Sequence, residues 1–128
     1  MTTYLWIAFG GALGSMARFA SAEWMQARWS AAFPWGTLFV NVLGCLAIGM
    51  LAALSESGRW HLSLIARQFL MIGVLGGFTT FSSFSLQTLM LMRSGALLSA
   101  GLNVLASVAL CLFAAWCGFT LISALARV

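Results

Sequence analysis

The stretch Gly73-Val74-Leu75-Gly76-Gly77-Phe78-Thr79-Thr80-Phe81-Ser82-Ser83-Phe84-Ser85 sets glycines and hydroxyl residues in the middle of a long hydrophobic segment. Glycine weakens a helix, and short hydroxyl side chains bond to nearby backbone in competition with it. In a bilayer, backbone freed in this way survives only where it is buried in protein or lines a polar cavity. The tract therefore predicts a membrane protein with a broken helix, the device from which many channels and transporters build an ion site.

Outward from this tract the chain stays apolar. Of its 128 residues, 62% are hydrophobic and 6% are charged, whereas a soluble domain is about a quarter charged. Cutting the chain at its charges leaves apolar stretches at 2–17, 29–55, 68–92 and 94–126, each near or above the roughly 17 to 25 residues that span a bilayer. The expectation is an all-α membrane protein, one domain over 1–128. Its four transmembrane helices run at about 4–28, 36–55, 62–93 and 96–125, the third broken near 76–80. Pro34 sits just before the second helix, where its fixed φ and missing N–H do least harm. Trp6, Trp24, Trp29, Trp35 and Trp60 lie near helix ends, the headgroup level that amphipathic rings prefer. The start Met1-Thr2-Thr3-Tyr4 carries no basic leader, so a cleaved signal peptide is not expected.

Cys45, Cys111 and Cys117 all fall inside expected helices without metal-ligand spacing and are read as small packing residues. The net charge of +4 comes from six scattered arginines, which makes no nucleic-acid surface. With four spans, Arg59, Arg67 and Arg127 fall on one side of the membrane and Arg28 and Arg93 on the other. So small a bias leaves orientation nearly undecided. Membrane pathways are commonly built from inverted repeats around a midplane site, and this chain has no internal repeat. An antiparallel, dual-topology homodimer supplies the inverted copy. Gly10 and Gly14 in helix one, and Gly44 and Gly49 in helix two, allow the close backbone contact such packing needs.

Several residues are candidates for chemistry. Asn41, an amide in hydrocarbon, reads either as interhelical glue or as a donor along an anion path. Phe81 and Phe84 share a helical face at i, i+3. They are core residues, or rings whose positive edges meet a small anion without trapping it. Gly76, Gly77, Thr79 and Thr80 occupy the break. There, exposed carbonyls are hard ligands for a small cation such as Na⁺, or the tract is a plain kink with Thr hydroxyls bonding back. Arg18, deep in helix one, either snorkels or faces a water-filled vestibule that attracts anions. Glu23 and Glu56 are the only acids, and no paired carboxylates, Ser-His-Asp set or phosphate loop exists; an enzyme is not expected.

Three motifs in this order, Gly10-x-x-x-Gly14-x-x-x-Arg18, Pro34-Trp35-Gly36-Thr37-Leu38-Phe39-Val40-Asn41 and Gly76-Gly77-Phe78-Thr79-Thr80-Phe81-Ser82-Ser83-Phe84-Ser85, resemble those of the Fluc fluoride channels, also called CrcB proteins. The resemblance covers essentially the whole chain. It implies a dual-topology antiparallel dimer in the cell (inner) membrane, with two pores for passive fluoride export. It also implies a structural Na⁺ at the dimer centre held by backbone carbonyls, and no organic cofactor. By position, Phe81 and Phe84 resemble the two phenylalanines whose ring edges line the fluoride paths, and Asn41 the helix-two asparagine that orients the pathway. Gly76 and Thr79 match the positions whose carbonyls hold Na⁺. Thr80, Ser82 and Ser83 would belong to the hydroxyl-bearing break and the turn after it. Thr37 and Ser107 resemble pore-side hydroxyls on helices two and four, and Arg18 the helix-one arginine. The chain departs from the family pattern at Gln87, where many relatives have glutamate, at Cys111, where some have serine, and at Ser83, which replaces a frequent threonine.

The competing reading is a small multidrug transporter, also a short four-helix dual-topology dimer. It requires an embedded helix-one glutamate, and here Glu23 lies near the helix end with Arg18 on the same helix.

Overall fold

The computed structural model describes residues 1–57 and 62–126. Arg59, Trp60, His61 and Arg127 lie outside them. The described residues form helices and no strand. Helix α1 is Thr2–Gln26 and α2 is Trp35–Glu56. Helix α3 starts as α over Leu64–Arg67, widens into π-type turns over Gln68–Val74 and returns to α over Leu75–Phe78. Thr79 and Thr80 are extended, then α4 runs Phe81–Arg93 and α5 Leu97–Leu125. Among the described residues there are thus four helices, the third in two halves.

Three of them, Trp35–Glu56, Leu64–Arg93 and Leu97–Leu125, are long and apolar enough to cross a membrane by length and composition. Helix α1, with 25 residues, is roughly 37 Å long at 1.5 Å per residue, but Arg18, Glu23 and its small polar residues make it less apolar than those three. Large side chains such as Leu5, Phe19, Leu98, Leu105, Leu112 and Phe113 point outward. A soluble protein would not leave so much apolar surface uncovered, whereas a bilayer covers it.

Small residues make the core. Residues with little or no side chain dominate the buried set, and Val40 and Asn103 are the largest fully buried side chains. Helix α1 crosses α3 through glycines on both. A methyl on Gly10 would stand 2.7 Å from the Phe69 carbonyl, and one on Gly77 would stand 2.6 Å from that of Gly11. On the other side, α2 packs along α5, where Gly49 meets the Ala115 backbone and Gly118 that of Leu46. Without a hydrophobic force between helices in lipid, such close backbone contact is what holds them.

The turns are built locally. The Gln26 amide donates to the Ser30 and Phe33 carbonyls at 3.3 and 3.1 Å and accepts from the Gly36 N–H at 3.2 Å, tying α1 to the start of α2. At the end of α4, Gly95 has φ +78°. There the Ala96 N–H reaches the Leu91 carbonyl at 2.9 Å and the Gly95 N–H that of Met92 at 3.1 Å. This is a Schellman cap, for which glycine is favoured because it has no Cβ to clash.

The interruption differs in detail from the expectation. Gly76 and Gly77 stay helical, and the chain opens only at Thr79 and Thr80. The cause is hydrogen bonding rather than glycine flexibility: Asn41 and the Thr80 side chain take over the backbone groups that a continuous helix would use.

Candidate functional site

The Asn41 amide grips Thr80 from both sides. Its Nδ2 donates to the Thr80 carbonyl at 3.0 Å, and its Oδ1 accepts from the Thr80 N–H at 2.8 Å. The Thr80 hydroxyl then caps α4 by accepting from the Ser83 N–H at 3.2 Å. In a continuous helix the Thr80 and Ser83 N–H groups would bond to the carbonyls of Gly76 and Thr79. Both donors are diverted, so those two carbonyls lose their helical partners. The Leu75 carbonyl, by contrast, is doubly occupied by the Thr79 N–H and hydroxyl, each at 3.0 Å.

The Gly77 and Phe78 carbonyls lose their helical partners as well, Gly77 taking the Ser15 hydroxyl at 3.5 Å instead, and freed carbonyls at the negative end of a helix suit a hard monovalent cation. Among the described residues no group of three or more His, Cys, Asp or Glu side chains stands ready to hold a metal. Gly76 is exposed.

Two clefts meet at Thr80. The first, of about 450 Å³, is lined by Asn41, Gly76, Thr79, Thr80, Phe81, Phe84 and Ser107 together with Cys45, Cys111 and aliphatic side chains. The second, of about 400 Å³, is more polar and is lined by Arg18, Thr37, Thr80, Ser83, Glu23, Gln26 and Gln87. Every candidate from the sequence except Gly77, Ser82 and Glu56 lines one cleft or the other, and only Thr80 lines both. The Phe81 and Phe84 rings lie 5.2 Å apart and 49° tilted. Phe84 is 9% exposed and Phe81 78%, so one ring is packed within the chain while the other projects from it.

Hydroxyl orientation in the second cleft favours an anion. The Thr80 hydroxyl donates to Ser83 Oγ at 3.1 Å, which leaves the Ser83 O–H free to donate outward. Thr37 and the positive N-terminal end of α4 add to the same side. Arg18 supplies a full charge at the cleft rather than at a helix end. Gln87 lies beside them with its Oε1 buried and without a partner. Arg28, a possible partner for Glu23, instead stacks 3.8 Å over the Trp24 ring and donates to the Trp24 carbonyl at 2.9 Å.

Sequence reading passed over three contributors. Asn103 is 2% exposed; its Nδ2 donates to Thr88 Oγ1 at 2.9 Å, and that hydroxyl donates to the Phe84 carbonyl at 2.8 Å. This chain pins α4, and with it Phe84, onto α5. Gln26 fixes the mouth of the second cleft. Asn103 was visible as an amide in an apolar helix, whereas Thr88 resembled any other polar residue.

A family model described as "CrcB-like protein, Camphor Resistance (CrcB)" matches residues 5–119. The chain belongs to the CrcB family. As a CrcB protein it is a multi-pass membrane protein and not an enzyme, and the multidrug-transporter reading gives way. Similar CrcB relatives named "Fluoride-specific ion channel FluC" come from several bacteria. That of Opitutus terrae is 54% identical over 119 residues, 92% of this chain and 90% of the relative. That of Methylocella silvestris is 50% identical over 116 residues, 90% and 88% of the two chains. That of Thermus thermophilus is 49% identical over 122 residues, 95% and 94%.

Proposed function

We propose that the chain is a fluoride channel that lowers cytoplasmic fluoride by passive export. Two oppositely inserted copies would enclose two pores, with all four helices of each copy spanning the membrane and Na⁺ held between them by the Gly76 and Thr79 carbonyls. The close likeness to proteins named as fluoride-specific channels supports the ion. The observation that carries the path is the junction at Thr80, where Asn41 holds the chain open between an aromatic cleft and a hydroxyl-lined one.

Fluoride keeps its water tightly, so a pore must replace that shell with donors. In this reading Arg18 concentrates anions at the second cleft. The Thr37, Thr80 and Ser83 hydroxyls then exchange for water, Asn41 offers its remaining N–H, and the ion passes to the Phe81 and Phe84 ring edges near Ser107. None of the groups along the aromatic part carries a full charge, which keeps binding weak enough for release. The exposed Phe81 ring and the exposed Gly76 would be half-sites that a second copy completes. The small arginine bias is compatible with insertion both ways.

The physiological need follows from acid chemistry. Hydrogen fluoride is a neutral weak acid that crosses bilayers from acidic surroundings and releases its proton inside, leaving the anion trapped. Efflux from liposomes loaded with fluoride or chloride, followed with ion-selective electrodes, tests the proposal. The expected result is fast fluoride loss with chloride retained; equal loss of both, or none, would falsify it.

A further inference from the structure

Cys45 lies one turn past Asn41 on α2, and Cys111 one turn past Ser107 on α5. These helices approach to backbone contact at Gly49 and Gly118. Gly49 meets Ala115 one turn beyond the two cysteines on their respective helices, which sets Cys45 and Cys111 at the same level; both are free and both line the first cleft. Cys117, on the same helix as Cys111, does not line it. The arrangement is thus a pair of thiols from different helices, opening on a cavity that the Met71 thioether also lines, with no imidazole or carboxylate among the cleft residues.

That donor set is selective. Zinc takes four ligands, usually with nitrogen or oxygen among them, and Na⁺ takes oxygen. Thiolate and thiol sulfur are soft ligands that favour soft cations. We propose that Cys45 and Cys111 form a two-sulfur site for a soft monovalent metal cation, placed so that its occupancy closes the ion path through the first cleft. Binding replaces one thiol proton: an S–H bond breaks, a sulfur–metal bond forms, and the proton passes to water in the cleft. The second sulfur contributes a lone pair. No oxidation state changes, and the site stays neutral. The bound metal fills space beside Asn41, Phe84 and Ser107. The effect on flux rests on reading the cleft as a fluoride path, whereas binding does not.

Ag⁺ is the probe, used in nitrate buffer because silver fluoride is soluble and silver chloride is not. In proteoliposomes of the full chain, low Ag⁺ is expected to cut fluoride efflux by about tenfold. Cys45→Ala and Cys111→Ala, each compared with its own flux before Ag⁺, are expected to lose that sensitivity, and Cys117→Ala to keep it. X-ray absorption on Cys117→Ala protein is expected to show one Ag⁺ per chain with two sulfur neighbours, lost when either remaining cysteine is removed. One sulfur neighbour, or retention of Ag⁺ without Cys45 or Cys111, overturns the site. Two sulfur neighbours with undiminished flux overturn its placement on the path. Absence of fluoride efflux before any Ag⁺ counts against the fluoride reading instead, and the sulfur coordination still decides whether the site exists.

Discussion

Asn41 meets both polar backbone groups of Thr80, and with the Thr80 hydroxyl cap this contact divides an apolar helix into two half-helices. Each interhelical hydrogen bond of this kind contributes about 0.6 to 2 kcal/mol in a membrane. Asn41→Ala removes both bonds, and with them the reason for Thr80 to leave the helix. Fluoride efflux is expected to fall below a tenth of its normal rate, a change of about 1.4 kcal/mol or more in the barrier, while Asn41→Ala protein still purifies from membranes. Flux near normal would show that the path does not depend on this grip. At Phe81 and Phe84 the expectation differs. Isoleucine keeps the bulk but has no positive ring edge, so Phe81→Ile or Phe84→Ile is expected to abolish efflux and leave the assembly, read by size-exclusion chromatography, unchanged. These residues were legible in the sequence because amides, hydroxyls and paired rings stand out against aliphatic neighbours. The Asn103–Thr88–Phe84 chain was not, because its members meet only once the Gly95 turn has set the register of α4 against α5.

Helix pairs here are held by missing side chains, so stability is most sensitive where a methyl group has no room. Gly14 faces the Val74 carbonyl and Gly118 that of Leu46, whereas Gly101 has nothing within 4 Å of the position a Cβ would take. Gly14→Ala and Gly118→Ala are therefore expected to destabilise the folded protein by about 1 to 3 kcal/mol through overpacking. Gly101→Ala is expected to be neutral or to stabilise by up to about 1 kcal/mol through helix propensity. Thermal unfolding in detergent ranks the three, and equal behaviour would contradict close packing at the first two. The existence of the helices and the break followed from hydropathy and from the Gly-Thr-Ser tract. The π-type turns over Gln68–Val74 did not, because Phe69, Leu70, Met71 and Ile72 read as ordinary apolar helix and no residue type marks a change of pitch. The exact site of the break also escaped, since it is set by a partner on another helix and not by the glycines that drew attention.

The whole molecule leaves apolar faces, a projecting Phe81 and an exposed Gly76, and its few arginines are nearly balanced between the two sides expected of four spans. If two opposed copies complete the path, a cysteine placed in the turn at Ser94 is expected to react with impermeant reagent from each side of the membrane in about half of the copies. Labelling from one side alone would remove the antiparallel assembly. Two lysines added at that turn are expected to orient every copy alike and silence efflux, and co-expression with an oppositely biased chain to restore it. The widened stretch in α3 has a further bearing on origins. A turn closed by i→i+5 bonds takes in one residue more than an α-turn, and one residue in a helix corresponds to a rotation of about 100°. Gly77 meets Gly11, and Thr80 meets Asn41, only downstream of that extra residue. Losing a single codon among Phe69 to Ile72 would swing the interruption toward lipid with every polar side chain still encoded. The reverse event, a one-codon gain in an unremarkable greasy helix, would be enough to aim such a tract at its neighbours, a mutational route to a conducting protein that no hydropathy profile would register.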